Sequence, residues 1–307
     1  MTGAIPEPTT GPVPAVPMVW PDGHRAAASF SFDVDAESAI LHASPGSASR
    51  PGVMSHQSYG PLVGVPRILD ILDRHGVEAT FFVPGYTAER YPGVVRDIVA
   101  AGHEIAHHGY LHETLEGVSP QTEASYLDHG LEVLERVAGV RPVGYRAPMW
   151  EPTWATPRLL AERGFLYDSS LMDADVPYEL AVSGVPEVAS IVEIPIHWAL
   201  DDWEQYFFLP GISGDPLIES PTKVHELWSL ELEAMRDVGG CFALTNHPFL
   251  SGRPSRAVVL ERIITQALGY GDVWVAPLGQ IAGHVRSLDL TPRSMTRPVV
   301  DPSGTAG

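Results

Sequence analysis

ASFSFDVDAE, residues 28–37, places two aspartates two positions apart at the end of an apolar run. The run ASFSF predicts a buried strand, and Asp33 and Asp35 follow where that strand should end. Because residues i and i+2 of an extended segment project to the same side, we expect both carboxylates to face one site. Taken alone, such a pair is more often a turn or a helix start, since aspartate favours strand exits.

A strand followed by a helix recurs along most of the chain. Pro66 can begin a helix that Gly76 ends, and the apolar run EATFFV, residues 78–83, then predicts a strand. Helices predicted from Pro92 and after the N-cap residue Ser119 each precede another apolar run. The other predicted strands are HEIAH (103–107), PVGY (142–145), GFLY (164–167), IVEIPI (191–196), CFALT (241–245) and DVWVA (272–276). This alternation predicts an α/β fold with parallel strands, and seven or eight such strands favour a barrel.

The chain divides into one domain and two flanking segments. A length of 307 residues with 44% hydrophobic composition predicts a single barrel domain over residues 25–286. The first 24 residues contain many prolines and are expected to form an extended N-terminal arm outside the core. Residues 287–307 have few periodic apolar positions and are expected to form a C-terminal tail that wraps or frays.

Charge and cysteine usage limit the partners. The formal net charge of -19 argues against nucleic acid, which requires clustered Lys and Arg. The single cysteine, Cys241, lies in the apolar run CFAL and is expected to be buried rather than reactive. The sequence has no basic leader followed by an apolar core and no stretch of about 18 apolar residues, so we expect a cytoplasmic protein without a membrane span.

Polar side chains follow most of the predicted strands at the point where each strand ends. In a β/α barrel these ends share one rim, where active sites form, so we expect the polar side chains to meet in one cleft. The residues concerned are Asp33, Asp35, His108, His112, Arg146, Asp168, Asn246 and His247.

His108 and His112 have the spacing H-x-x-x-H, which on one helical turn puts both imidazoles on the same side. Two such rings can bind zinc at about 2.0 to 2.1 Å per bond, and a carboxylate from another strand can complete a set of three ligands. Alone, this spacing is weak evidence for a metal. Gly109 stands where the H-E-x-x-H metalloprotease motif requires its catalytic glutamate, which argues against a zinc protease.

The two aspartates can divide the remaining work, one binding the cation and the other accepting a proton. A bound cation lowers the pKa of water from about 15.7 to about 7, and a neighbouring carboxylate can then collect the proton as hydroxide attacks a carbonyl. His247 is a candidate general acid for the departing nitrogen, and Arg146 could hold the base carboxylate ionised. This set of residues predicts hydrolysis of an amide.

Five segments, SFDVDAE, AHHGYLHE, YRAPMWEP, YDSS and TNHPF, resemble in order and spacing the motifs of the polysaccharide deacetylase family, carbohydrate esterase family 4. The resemblance covers residues 26–285. Within the family, the D-x-D opening, H-G-Y-x-H and the segment EIPIHWALDD are similar to the branch of cyclic imide hydrolases, metal-independent allantoinases and a peptidoglycan deacetylase-like protein. The resemblance implies a distorted (β/α)7 TIM-like barrel and a homo-oligomer, either a dimer or a tetramer.

The resemblance also implies a role for each motif residue. The metal would be a divalent cation, with Zn2+ as the first candidate and Co2+, Ni2+ or Fe2+ as alternatives. The implied roles are Asp35, His108 and His112 as metal ligands, Asp33 as general base, His247 as general acid, Arg146 as partner of the base, and Asp168 as the residue that tunes the acid.

Residues around the third motif are expected to contact the substrate. Met149 replaces an aromatic residue whose backbone N–H helps to hold the oxyanion in the family, a role that any side chain permits. Trp150 and Glu151 form the W-E pair of the imidase-like branch. Trp150 and Trp198 can stack on a substrate ring, although tryptophan packs at least as often as it binds. Val34 separates the two aspartates, which most of the family places side by side.

Several functions fit the pattern. The first is metal-dependent hydrolysis of a non-peptide C–N bond in a small cyclic imide or ureide, which the absence of an export signal favours. The second is deacetylation of an N-acetylated sugar polymer such as chitin or peptidoglycan. A non-catalytic binding protein on the same barrel would be expected to have lost a motif residue, and none is missing. A D-x-D glycosyltransferase ranks last because no Gly-rich phosphate loop follows the first strand.

Overall fold

A curled β-sheet covered by helices forms the centre of the protein in the computed structural model, which describes residues 18–186, 188–214 and 217–298. The strands in these ranges are β1 (Ala26–Asp33), β2 (Thr80–Val83), β3 (Glu104–His107), β4 (Gly144–Tyr145), β5 (Tyr167–Asp168), β6 (Tyr178–Ala181), β7 (Ser190–Glu193), β8 (Cys241–Asn246) and β9 (Val273–Val275). The α-helices are α1 (Ser38–Ala43), α2 (Pro51–Tyr59), α3 (Val65–His75), α4 (Gly85–Arg90), α5 (Pro92–Ala100), α6 (Pro120–Ala138), α7 (Thr156–Glu162), α8 (Asp202–Tyr206), α9 (Pro221–Val238), α10 (Pro248–Ser251), α11 (Pro254–Tyr270) and α12 (Leu278–Ser287). None of the helices in the described ranges is long and apolar enough to cross a bilayer.

The strand order confirms the predicted fold class. Seven strands run parallel in the order β8-β1-β2-β3-β4-β5-β7, with helices packed outside them. β6 adds to the β7 edge in antiparallel orientation, and β9 pairs with the first residues of β1. A parallel bridge between Asp201 and Thr245 brings the chain after β7 next to β8. The fold is a single α/β domain with the architecture of a distorted TIM-like barrel.

Strand β1 lies next to β8 at one end of the strand order and pairs with three other strands, β2, β8 and β9. Its eight residues are all buried. Phe30 and Phe32 pack against the helices, whereas Ser31 points the other way and donates to the carbonyl of Leu244 at 3.0 Å. The alternation of small polar and large apolar side chains therefore gives β1 one face for the helices and one for the barrel interior, and that interior face ends at Asp33.

The predicted helix ends agree with the structure. Gly76 ends α3 with a left-handed backbone (φ 61°), and the Ser119 side chain accepts the backbone N–H of Thr122 at the start of α6. All eight predicted strands are present in the structure. Strand β6 was not predicted, because a short antiparallel strand at a sheet edge carries neither a long apolar run nor a following helix.

The expectation that the N-terminal arm lies outside the core is wrong for its last residues. Trp20 is buried against the rings of Trp274 and His284, at centroid distances of 6.3 and 6.2 Å, and donates to the Gly239 carbonyl at 3.0 Å. A tryptophan among many prolines gave no periodic pattern that would have signalled this burial. Residues 1–17 lie outside the described residues. In the C-terminal tail, Arg293 pairs with β6 and with Asp173, and residues 299–307 lie outside the description.

A tight backbone contact positions the chain after β8. Gly60–Gly64 form a π-helical turn between α2 and α3, and this turn contacts α10. A Cβ atom on Gly64 would lie 2.1 Å from the carbonyl oxygen of Pro248, and one on Gly252 would lie 2.2 Å from the same oxygen. Glycine at both positions therefore permits the approach that fixes Pro248 and, next to it, His247.

We predict that Gly64→Ala lowers the free energy of unfolding by about 1–3 kcal/mol, because the added methyl group overlaps backbone that cannot easily move. Gly52→Ala is the matched control, since a Cβ at that position in α2 meets nothing within 4 Å. Replacing glycine by alanine in an exposed helix should be neutral or stabilise by about 0.5–1 kcal/mol. Urea denaturation of both variants measures the difference, and equal effects would contradict the packing argument.

Candidate metal and catalytic site

One pocket at the carboxyl ends of the strands collects most of the residues singled out in the sequence. Its volume is about 90 Å³. The residues that line it are Asp33, Asp35, His108, His112, Met149, Trp150, Trp198, Asp201, Trp203, Glu204 and His247. Of the residues predicted at the site, Arg146 lies directly behind this pocket, while Asp168 and Glu151 do not line it.

Asp35, His108 and His112 form a group that could hold a metal ion. One potential ligand atom from each lies within 4.8 Å of the others. The two carboxylate oxygens of Asp35 are 3.6 Å from Nε2 of His108 and 3.6 Å from Nε2 of His112. Both oxygens are buried and have no hydrogen-bond partner among the described residues. Buried carboxylate oxygens normally have partners, so this arrangement fits a cation between the three side chains.

The two histidines present the nitrogen atoms that a metal requires. His108 Nδ1 donates to the backbone carbonyl of Arg146 at 2.8 Å, which leaves Nε2 as a free acceptor facing Asp35. Burial lowers the pKa of His112 to about 4, more than the neighbouring Asp35 raises it. The hydrogen bond orients the His108 ring, and burial favours the neutral imidazole of His112, so both rings can direct a nitrogen atom toward the Asp35 carboxylate.

The expectation that His108 and His112 share a helical turn is wrong. The segment between them is a loop in which Gly109 and His112 have positive φ values of 72° and 58°. Glu113 organises this loop, because its carboxylate accepts the backbone N–H groups of Tyr110 (3.0 Å) and Leu111 (2.9 Å). The loop places the two rings side by side, with their centroids 4.8 Å apart. The predicted proximity of the rings is therefore present, although the backbone between them is not helical.

Arg146 holds the second aspartate of the pocket. Its Nη1 donates to Asp33 at 2.8 Å and to Ser31 at 3.0 Å, while Nε and Nη2 donate to the carbonyl and hydroxyl of Ser169, both at 3.1 Å. The guanidinium also stacks on the Phe82 ring at 4.0 Å. Burial opposes ionisation of Asp33, but Arg146, with smaller contributions from the site histidines, lowers the pKa of the Asp33 carboxyl group below its usual range. Asp33 is therefore an ionised carboxylate beside the candidate metal ligands.

His247 is oriented by a carboxylate that the sequence did not single out. Asp202 Oδ1 accepts both the backbone N–H (2.8 Å) and Nδ1–H (2.7 Å) of His247, and Asp202 Oδ2 accepts the N–H and hydroxyl of Ser251. The opposite ring atom, Nε2, points into the pocket and lies 3.6 Å from Asp35. Burial alone would lower the pKa of His247, but Asp201, Asp202 and Asp35 raise it to about 10.

The pairing of Asp168 with His247 expected from the resemblance is wrong. Asp168 accepts a hydrogen bond from Ser170 and lies opposite Glu193 on the neighbouring strand. Burial raises the pKa of Asp168 to about 7, and burial together with the nearby Asp168 raises the pKa of Glu193 well above its usual value. The end of β5 is on the Arg146 side of the barrel, whereas α8 packs against β8 and supplies Asp202 to His247.

Aromatic side chains form one wall of the pocket. Trp150 and Trp198 stack with ring centroids 4.7 Å apart and an interplanar angle of 18°. Behind Trp150 lies a second cavity of about 460 Å³, which we term the side cavity; the residues around it include Trp150, Glu151, Trp154, Met172, Leu180 and Met295. Glu151, predicted to bind substrate, lies in this side cavity and not in the catalytic pocket.

Comparison with known proteins agrees with these motifs. The family model for polysaccharide deacetylases matches residues 57–166. The peptidoglycan deacetylase of Helicobacter pylori is 31% identical over 260 residues, which cover 77% of this chain and 88% of that protein. The peptidoglycan deacetylase-like protein FGM2 of Gibberella zeae is 30% identical over 280 residues, covering 81% of this chain and 83% of that protein. The chain belongs to the polysaccharide deacetylase family.

Solved structures support the same assignment. A structure from Mycobacterium smegmatis assigned to the polysaccharide deacetylases is 61% identical, with a TM-score of 0.91 over 94% of this chain and 99% of that chain. The structure of Puue allantoinase is 26% identical, with a TM-score of 0.75 over 88% of this chain and 93% of that chain. The protein is thus a hydrolase of carbon–nitrogen bonds other than peptide bonds.

Sequence reasoning missed the two carboxylates beside His247. Asp201 lines the pocket 3.4 Å from Nδ1 of His247, and burial, reinforced by Asp202, raises the pKa of Asp201 to about 8. The available signal was the adjacent pair at the end of EIPIHWALDD, which contains two carboxylates directly after an apolar run. Because this pair lies far from His247 in sequence, its pairing depends on the barrel placing α8 beside β8.

We predict that Asp35→Asn lowers affinity for Zn2+ by at least about tenfold, since even residues behind the ligands contribute ~10–100-fold to metal affinity. Asp33→Asn is the matched control, because it makes the same change two positions away at a carboxylate that Arg146 already neutralises. Its metal content should stay near wild type. Equilibrium dialysis with elemental analysis measures both, and loss of metal from Asp33→Asn alone would reverse the two assignments.

Proposed function

We propose that the protein hydrolyses an amide C–N bond of a small cyclic imide or ureide. The reaction would use a divalent cation, with Zn2+ as the first candidate, held by Asp35, His108 and His112. The observation that carries this proposal is the pair of unpartnered Asp35 oxygens facing two imidazole nitrogens, with an ionised Asp33 on one side and His247 on the other. This combination of ligands, base and acid is what amide hydrolysis requires.

The donor set fits a zinc-like cation. One carboxylate and two imidazoles are usual zinc ligands, and a site with three protein ligands keeps a position open for water or substrate. When bound, the cation supplies a water of lowered pKa and polarises the substrate carbonyl. All three ligand side chains are buried, so their geometry is fixed by packing before the substrate arrives.

Asp33 is the candidate general base. Its Oδ1 is held by Arg146, while Oδ2 lies 3.8 Å from Nε2 of His108, on the metal side. The ion pair keeps the carboxylate ionised, and the hydrogen bond fixes its orientation, so Oδ2 is the atom that would accept the proton from the attacking water.

His247 is the candidate general acid. Asp202 accepts the Nδ1–H hydrogen bond, which fixes the ring and leaves Nε2 to deliver a proton into the pocket. An amide nitrogen is too basic to leave without that proton. Asp33 and His247 approach the Asp35 group from different strands, so base and acid can act on opposite sides of the scissile bond.

Met149 is the candidate oxyanion donor. It follows Pro148 in a tight turn and has a left-handed backbone (φ 59°), which few non-glycine residues adopt. Such strain is common where a backbone N–H is held for function. The backbone N–H at this position would stabilise the charge that develops on the carbonyl oxygen.

The size of the pocket favours a small reacting group. Ligand sites usually have volumes of roughly 300–1,000 Å³, whereas the catalytic pocket has about 90 Å³. A small imide ring or an acetamido group is therefore the kind of group that the pocket would admit. Trp150, Trp198 and Trp203 would pack on its faces.

Deacetylation of an N-acetylated sugar is the second candidate. The relatives from Helicobacter pylori and Gibberella zeae are named as a peptidoglycan deacetylase and a peptidoglycan deacetylase-like protein, and an acetamido group fits the same chemistry. Puue allantoinase, in contrast, is named for activity on a small ureide. The homo-oligomer and the cytoplasmic location stay predictions.

We predict that purified protein opens the ring of dihydrouracil, succinimide or allantoin, and that chelation of the metal abolishes this activity. Chitin oligomers serve as the comparison substrate, with acetate release as the readout. Ring opening detected by chromatography before chelation and lost after it supports the imide proposal. Deacetylation of the oligomers without ring opening would establish the second candidate instead.

We predict that Asp202→Asn lowers kcat by about 100-fold. The amide nitrogen of the new side chain is a hydrogen-bond donor and would face another donor, the backbone N–H of Ser251, so the side chain that orients His247 would be displaced. Metal bound by Asp35, His108 and His112 should not change, since Asp202 belongs to a separate group with Asp201 and His247. An activated anilide, whose leaving group needs less protonation, should lose much less activity than an alkyl amide. Equal losses on both substrates would argue against a role through the general acid.

A further inference from the structure

The side cavity and the catalytic pocket are neighbours of different size. The side cavity has about 460 Å³ and the catalytic pocket about 90 Å³, and Trp150 lines both. Only the side cavity falls within the range of roughly 300–1,000 Å³ that is usual for small-molecule sites. The catalytic pocket can therefore enclose the reacting group, while a larger substrate would place its remainder in the side cavity.

We propose that the side cavity is a specificity subsite for an uncharged ring attached to the substrate next to its reacting amide. This inference rests on the proposed hydrolysis in the catalytic pocket, because it assigns the position of the rest of the same substrate. It holds for either candidate chemistry, since both a substituted imide and an amino sugar linked to a second sugar carry such a ring.

The walls of the side cavity have the chemistry that binds a ring. Trp154 is 49% exposed, Met172 38% and Met295 43%, so the fold leaves three large apolar side chains facing solvent around one cavity. An exposed indole offers a flat surface for stacking, and methionine adapts to the edge of a ring. Together these side chains would bury the apolar faces of a ring while its polar edge stays in water.

The charges around the side cavity argue for an uncharged ligand. Arg158 is already paired with Glu162 on the next turn of α7. Two acidic residues, Asp168 and Glu151, also line the side cavity, and the protein carries a formal net charge of -19. Asp168 is buried and accepts a hydrogen bond from Ser170, whereas Glu151 is exposed and has no ion pair within the described part of the chain. An anionic substituent would therefore be repelled. A cation would gain little, because burial raises the pKa of Asp168 to about 7 and the exposed Glu151 gives little binding energy in water.

Trp150 lies between the catalytic pocket and the side cavity. Met149 and Trp150 both have positive φ, 59° and 54°, and the Trp150 indole stacks on Trp198 at the mouth of the catalytic pocket. The strained turn thus holds the Trp150 side chain as a partition that lines both spaces. A substrate bound across the partition would have its amide and its ring positioned by the same side chain.

Two variants of the side cavity test this proposal. Trp154→Ala removes the exposed indole, and Ser183→Trp adds a bulky side chain at the exposed rim. Leu230→Trp, an exposed position on α9 outside both cavities, is the matched control for the added indole. Each protein is assayed with phenylsuccinimide against succinimide, and with diacetylchitobiose against N-acetylglucosamine. Thermal unfolding confirms that the variants are folded.

The wild-type protein should prefer the ring-bearing member of the pair that it hydrolyses. Both side-cavity variants should lower kcat/KM for that member about tenfold and leave the unsubstituted member within about twofold, while Leu230→Trp changes neither. Equal effects on both members, or no preference in wild type, would overturn the subsite. Absence of turnover on every substrate would instead contradict the proposed function. In that case, calorimetry would still test the subsite by measuring how tightly the ring-bearing compounds bind. The subsite requires that Ser183→Trp weakens this binding, and unchanged binding would overturn it.

Discussion

The buried guanidinium of Arg146 is the interaction on which the site depends. Its side chain joins Ser31 and Asp33 of β1 to Ser169 after β5, and its backbone carbonyl accepts the hydrogen bond from His108 after β3. One residue therefore fixes the candidate base, the orientation of a candidate metal ligand and the spacing of four strand ends. Breaking a buried ion pair by removing one partner costs about 3–5 kcal/mol, because the other charge stays buried alone. Lysine could not replace the arginine, since it lacks the planar set of donors that contacts two strands at once.

Opposite charge environments surround the candidate base and the candidate acid. Around Asp33, Arg146 favours the ionised carboxylate, and the pKa of Asp33 is lowered in spite of burial. Around His247, Asp201 and Asp202 favour the protonated imidazole and raise its pKa despite burial. Groups that a site drives in opposite directions in this way can act as proton acceptor and proton donor at the same pH. The barrel achieves this in a small volume because the two groups approach from different sides.

The parts of the fold that depend on local sequence signals were predictable from the sequence. The apolar runs, the glycine after α3 and the serine before α6 each have a local physical cause, and the structure agrees with them. The convergence of Asp33, Asp35, His108, His112 and His247 followed from the rule that strand ends share a rim. The errors arose where long-range contacts decide the structure. Whether His108 and His112 lie on a helix depends on Glu113 and positive φ values, and the partner of His247 depends on which helix packs beside β8.

The turn from Ala147 to Trp150 shows how the rigid interior supports a strained wall. The Ser170 hydroxyl accepts the backbone N–H of Ala147 at 2.8 Å, and the Trp150 N–H donates back to Ala147 at 2.9 Å. Two consecutive residues with positive φ cost of order 1–3 kcal/mol each, so the turn persists only because the surrounding contacts determine it. Trp150 is buried against Ile196 and Ala243 on its inner side, which anchors the indole while Trp198 covers its other face. The backbone strain therefore lies where the catalytic pocket meets the side cavity. A strained backbone at that boundary can position both an oxyanion donor and an aromatic surface, which an ordinary turn would direct elsewhere.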